Sequence, residues 1–379
     1  MTESEPGRAG TRARRYRKAT IGGVALALAA GAGCWAGGIG PFKSKDRYCW
    51  GAWEQDSGPM FLGEKAFYDG GTRTAAETAP SSRDPRGTCT VTVHAESAGS
   101  RETIRYEDRV TVSYGVIPGP AAARTEWLGE FLQGESDRLP DDLPGMVGAD
   151  RGVFVLPKEC DVDGRPAAVT LRTRSTGVSA SGTSHTIVPT LDKRDIAKML
   201  LAAADHGMRK AGCAPARTPR LASPFPPEET EKARTERKSP MRWGVCDIKG
   251  LHAGDGESLA WSQTGADKRL QICSATAVPG ADAELAGQFI AVNGLPRLEA
   301  LFDGMTDEGV PATGWRGKAV LGKSTALVRA DCGDKKAVFF QYFSEKMSKA
   351  AGPGPERVFA NGANAAAKRA GCAPVAPTD

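Results

Sequence analysis

The phrase "RKAGCAP" at residues 209–215 returns almost unchanged as "KRAGCAP" at residues 368–374. Ahead of the first, Ile196, Leu200, Ala203, Ala204 and Ala211 recur at helical spacing, and ahead of the second Phe359, Ala363, Ala366 and Ala370 do the same. A shift of 159 positions carries Leu200 onto Phe359, Ala204 onto Ala363 and Ala211 onto Ala370, so one apolar helix face is written twice. Gly212 and Gly371 stand where a left-handed cap ends a helix, and Pro215 and Pro374 prevent its resumption. The basic pairs fall in the last turn, where positive charge favours the helix dipole. The phrase thus predicts a helix end followed at once by a cysteine able to staple that end to a neighbouring strand.

The cysteines extend the pattern. Cys49, Cys89, Cys160 and Cys213 match Cys246, Cys273, Cys332 and Cys372 at offsets that shrink from 197 through 184 and 172 to 159. Such a series is expected of a duplicated domain whose second copy has lost loop residues. "GVFVLPKECD" at 152–161 and "TALVRADCG" at 325–333 both read as a strand ending near a cysteine, and polar turns then lead to return strands at 167–174 and 337–343. Strands are also expected at 89–97, 108–117 and 269–278, and helices at 124–133 and near 295–305. Residues 215–240, rich in proline and charge and without apolar periodicity, read as an extended linker between copies at 46–214 and 241–373. The fold class expected is α+β, two tandem, diverged copies of a disulfide-stapled module of antiparallel sheet plus helix, after an N-terminal transmembrane segment.

Eight cysteines allow 105 pairings, and one repeated pattern leaves three. The favoured set joins first with second and third with fourth: Cys49 with Cys89, Cys160 with Cys213, Cys246 with Cys273, and Cys332 with Cys372. Disulfides require an oxidising compartment, and the N-terminus suggests how the chain reaches one. Residues 1–18 carry six Lys or Arg against Glu3 and Glu5, and residues 19–40 are 22 uncharged positions, long enough to span a bilayer. A retained anchor in the cytoplasmic membrane is the preferred reading, with residues 1–18 as a cytoplasmic tail and the body outside. A cleaved signal peptide and a lipid-modified Cys34 are the other two fates, and all three export the chain beyond residue 41. The richness in Ala, Gly and Arg matches the usage of a high-GC bacterium and suggests a cell-envelope protein.

The formal charge of +5 resides mostly in the tail, since the remaining residues hold 44 basic and 43 acidic side chains. A nearly neutral body lacks the basic face that nucleic acid requires. "GKAVLGKS" at 317–324 matches the phosphate-loop pattern letter for letter, but a strand rather than a helix is expected after it, and a glycine-rich turn is the better reading. His94, His185, His206 and His252 are scattered, and oxidised cysteines cannot ligate metal. "DVDG" at 161–164 reads as a hairpin turn rather than a calcium loop. Ser184 beside His185 is no dyad, because neighbours on a strand point to opposite faces. Asp137, Asp141, Asp142 and Asp150 read as a soluble acidic loop rather than a glycosidase pair. Trp50, Trp53, Trp243 and Trp261 lie near the first cysteines and read as core.

No catalytic, metal or cofactor-binding residue is therefore assigned and no cofactor is expected. The copies have cysteine, glycine and apolar pattern in common, the marks of a scaffold. The function expected is a membrane-anchored, extracytoplasmic, non-catalytic binding or interaction module with an external ligand or protein partner. The alternative is a cell-envelope hydrolase with a carboxylate site between the copies.

Overall fold

A computed structural model describes residues 47–54, 72–98, 103–179, 184–187, 192–225, 246, 248, 259–264, 268–277, 284–305, 310–350 and 354–377. Residues 1–18 and 19–40, Trp243 and His252 lie outside them. No helix among the described residues is long and apolar enough to cross a membrane.

The chain is α+β, with antiparallel sheets, few helices and four disulfides. A small ladder of β1 (Arg47–Tyr48) and β2 (Trp53–Glu54) opens it. The first large sheet uses β3 (Thr72–Thr78), β4 (Gly87–Ala98), β5 (Thr103–Val116), β6 (Asp137–Arg138), β7 (Gly145–Val147), β8 (Arg151–Val155) and β9 (Ala167–Ser179). Their order is β3-β4-β5-β9-β8-β7-β6, with β10 (Ser184–Ile187) also on β9. Helix α1 (Ala121–Phe131) lies between β5 and β6 in the chain, and α2 (Lys193–Ala211) comes after β10.

The second sheet uses β11 (Leu259–Gln263), β12 (Leu270–Ala277), β13 (Leu285–Asn293), β14 (Val310–Pro311), β15 (Lys318–Leu321), β16 (Thr325–Cys332) and β17 (Lys335–Phe343). Its order, β11-β12-β13-β17-β16-β15-β14, repeats the first connection for connection. Helix α3 (Pro296–Glu299), prolonged by a 3-10 turn over residues 300–302, takes the place of α1; α4 (Glu345–Ala350) is short, and α5 (Pro355–Arg369) takes the place of α2.

Register repeats as well as order. Across the first sheet Glu77, Cys89, Val112, Leu171, Gly152, Val147 and Asp137 are successive cross-strand partners. Across the second, Gln263, Cys273, Phe289, Gln341, Ala326, Leu321 and Val310 are. Because side chains alternate faces along a strand, a slip of one residue would reverse a whole face. Matching at the cysteines therefore fixes which residues face which way in both halves.

Each closing helix packs on the same face of its own sheet. Ile196, Leu200, Ala203, Ala204 and Met208 of α2 join Cys89, Val112, Tyr114 and Leu171 in one core. Phe359, Ala363, Ala366 and Ala367 of α5 join Cys273, Phe289 and Phe339 in another. Both helices end alike. The Cys213 N–H donates to Met208 O at 3.0 Å and the Cys372 N–H to Ala367 O at 2.8 Å, with Gly212 and Gly371 left-handed at φ 77° and 78°. These bonds satisfy carbonyls that a helix terminus leaves open. The disulfides join Cys49–Cys89, Cys160–Cys213, Cys246–Cys273 and Cys332–Cys372. The loops they close, of 27 to 53 residues, correspond to about 4 kcal/mol each in the chain-entropy account.

A third core lies between the halves. Leu128 and Phe131 of α1 and Leu132 just after it, with Met146, Val153 and Val155, meet Ile272, Ile290, Phe340, Leu298 and Phe302. Some stretches differ from the sequence reading. Residues 318–321, inside the phosphate-loop match, are strand β15. The helix expected near 295–305 is one short turn of α-helix continued as 3-10. The described start of the stretch read as linker lies on the first half: Leu221 and Phe225 pack against its core, and Asp141 accepts from the Ala222 and Ser223 N–H groups at 2.7 and 3.0 Å.

Candidate functional site

The contact between the halves is where the hydrolase alternative would place its carboxylates. It is filled. The Gln288 amide donates to Leu132 O at 2.6 Å, serving the carbonyl end of α1, and Gly134 N–H donates to Ser274 Oγ at 3.3 Å. A side chain at Gly134 would run into the Ser262 backbone, so the two chain segments touch there. Arg124, 2% exposed, donates to the carbonyls of Leu301 and Asp303 at 3.0 Å each and also reaches Pro118 O. Burial pulls the pKa of that guanidinium down, the charge of Arg165 adds to this, and Asp303 opposes both. Arg297 donates to Leu156 O at 2.7 Å and holds both oxygens of Asp161, at 2.5 and 3.0 Å.

The carboxylates singled out in the sequence do not converge. Asp137 pairs with Lys193 at 2.8 Å, Asp142 with Arg138 at 3.2 Å and with Arg269, and Asp150 with Arg151 at 2.6 Å. Asp141 is held below the usual carboxylate range by the Ser223 hydroxyl and then by the Ser223 and Ala222 N–H groups. Each of these roles is structural.

The other motifs are equally occupied. Gly322 N–H donates to Thr325 O at 2.7 Å, closing a tight turn between β15 and β16, so the phosphate-loop match leads from strand to strand. Asp163 and Gly164, both at positive φ, form the turn between the bridged Val162 and Arg165. Among the described residues no three His, Cys, Asp or Glu side chains group to hold a metal. His94 is exposed beside Glu107, at 3.9 Å, and His206 lies on α2 against Gly51. Ser184 and His185 pair with Val178 and Gly177 as the backbone of β10. Trp50 and Trp53 are buried, and their indole N–H groups donate to Thr78 O and Met199 O at 3.0 Å. Trp261 lies half-buried on β11. Lys268, Gln271, Asn293 and Arg369 line a notch of about 10 Å³, space for a single water.

What remains open is a face. In the second sheet the row Ile272–Ile290–Phe340–Leu327, one position from the cysteine row and so on the side away from α5, is buried in the central core. The row at the same register in the first sheet is Thr88–Ser113–Thr170–Val153. The next row is Thr90–Thr111–Arg172–Arg151, with the two threonine hydroxyls 3.3 Å apart. Thr88, Arg109 and Arg172 are exposed, and Thr90, Thr92, Thr111 and Ser113 are half-buried. Val153 and Val155, on β8, do reach the central core. Thr170 is buried, so the sheet has an apolar end under the other half and a hydroxyl-bearing end, over β4 and β5, that faces water. The alternation "CTVTV" at 89–93 displays the threonines, but only the second half's buried row shows that the same positions were available for burial.

The chain matches no family model, no curated protein and no solved structure.

Proposed function

We propose that the protein is a membrane-anchored, extracytoplasmic, non-catalytic binding module, built from a duplicated domain and held in the cytoplasmic membrane by residues 19–40. The observation that carries the binding reading is the open, hydroxyl-rich face over β4 and β5, whose threonine and serine side chains offer hydrogen bonds to a polar ligand of the cell envelope, with Arg109 and Arg172 beside them in ion pairs with Glu107 and Glu130. Support for duplication comes from the repeated strand order, the seven-residue register and the twin helix ends. Support for export comes from the four disulfides, which persist in oxidising compartments. The filled contact between the halves, with Asp142 and Asp161 in ion pairs, weighs against the hydrolase.

The test uses the full chain in native membranes. Alkaline extraction should leave it in the pellet, and protease added from outside should digest the body. Isolated wall polymers should co-sediment with the detergent-purified chain, and Thr90→Trp with Thr111→Trp should abolish this without changing thermal stability. A wild-type chain that binds none of them, or variants that bind as well, would sink the binding face.

A further inference from the structure

Each closing helix rests on its sheet through a ring packed under a glycine, but not at the same place. In the first half the ring is Tyr114, under Gly207, where a Cβ would stand 2.5 Å from it, and the Tyr114 hydroxyl lies 3.3 Å from the Cys213 sulfur. In the second half the ring is Phe289, under Gly362, where a Cβ would stand 2.9 Å from it. Strand register and the shift of 159 positions match Phe289 and Gly362 with Val112 and Ala203, and match Tyr114 and Gly207 with Ala291 and Ala366. The ring contact has therefore moved about one helical turn toward the start of α5. Two alanines meet where the first half packs a ring on a glycine.

The notch of about 10 Å³ lies at that point. Ala291, Phe339 and Ala366 give it apolar walls, and Gln271 and Asn293 bring amides to it. Gln271 is the cross-strand partner of Ala291, as Gly87 is of Tyr114, and it is 7% exposed. Its Nε2 is buried and has no hydrogen-bond partner among the described residues, and the same is true of Asn293 Oδ1. A donor and an acceptor withdrawn from water each carry the cost of lost hydration unless something bonds them. One occupant can serve both only if it accepts from the first and donates to the second. An anion would face the Asn293 oxygen and a metal cation the Gln271 amino group, whereas a water molecule suits both amides and the volume.

We propose that the notch is a binding site for one ordered water, which accepts from Gln271 Nε2, donates to Asn293 Oδ1 and takes the place that the Tyr114 ring has in the first half. Near its end α5 is then fastened to its sheet through a solvent molecule, where α2 is fastened through a side chain.

A crystal structure of the full chain, at a resolution that orders solvent, should show a water within about 3 Å of both Gln271 Nε2 and Asn293 Oδ1. A notch without density between the two amides would overturn the proposal. Thermal unfolding of the full chain gives an independent reading through its sign. Gln271→Met, similar in length and lacking the donor, should lower the midpoint by about 2 to 4 °C, because the bridging water loses a partner. If nothing bonds the Gln271 amino group, the same change relieves a buried, unpaired donor and raises the midpoint, which would sink the water. Adding Asn293→Leu to Gln271→Met should cost less than the sum of the two single changes, since both act on one bridge. Strict additivity would mean that the two amides do not share an occupant.

Discussion

The two large sheets share strand order and register, yet one hides the face that the other leaves open. Ile272, Ile290 and Phe340 fill the central core, and Thr88, Ser113 and Thr170 stand at the same register positions in the first sheet. Strand pairing is common to both, so pairing does not decide exposure. What decides it is whether a neighbouring element covers the face: the end of α1 lies on β12 and β13 through Gln288 and Ser274, while β4 and β5 carry hydroxyls instead. An antiparallel sheet tolerates either outcome, since one face suffices to anchor it.

The largest way to break the contrast is to give the covered sheet the open sheet's residue. Phe340→Thr should cost about 4 kcal/mol in denaturant unfolding, because it empties a ring-sized space and buries a hydroxyl there. A cost under about 1 kcal/mol would show that the central core adapts to the change. Next comes the staple. Replacing Cys332 and Cys372 together by Ser should cost about 3 to 4 kcal/mol, and replacing Cys160 and Cys213 a similar amount, since their loops differ little in length. A large inequality would mean that the two helix ends are not equivalent in energy.

A smaller effect concerns pH. Burial pushes the Glu299 carboxyl above its ordinary range, against the N–H bonds from Leu295 and Gly294 and the charges of Arg329 and Arg269. A raised folded pKa gives stability that is present below the ordinary carboxylate pKa and is lost as pH rises through the folded value. Glu299→Gln keeps an oxygen for the Leu295 N–H, so it should remove that slope and leave the protein at pH 7 as stable as before or slightly more so. Unfolding midpoints measured from pH 4 upward check this. The smallest effect is the converse of the first. Ser113→Ile should change stability by no more than about 0.5 kcal/mol but promote self-association, seen by light scattering, because it adds apolar surface to an open face.

Much of this was legible in the sequence where two constraints fell on one residue. At Cys213 and Cys372 a helix cap, a disulfide and a proline stop coincide, so those ends and the strands beside the cysteines could be read directly. β3 and β13 were missed for different reasons. "TRTAAET" at 72–78 is an edge strand with little apolar signal, and "LAGQFIAVN" at 285–293 is buried on both faces, so alternation is absent. The central core was not legible, because α1 has apolar residues on more than one side and nothing local says that its partner is β13. Nothing in the sequence marks Arg124 as buried, and only the carbonyls of Leu301 and Asp303 explain it. The open face was visible as threonines but acquired meaning only beside its buried counterpart.

Each of the four disulfides joins cysteines that follow one another along the chain, from Cys49–Cys89 to Cys332–Cys372, and none crosses between the halves. If the body is delivered into an oxidising space in sequence order, the order of emergence is then the order of pairing. Cys49 can close on Cys89 before Cys160 arrives, and the first half can be fully oxidised while the second is still being delivered. An oxidant that joins cysteines as they appear makes the native set directly and leaves nothing to be reshuffled. The connectivity suits the protein to assembly without a disulfide isomerase.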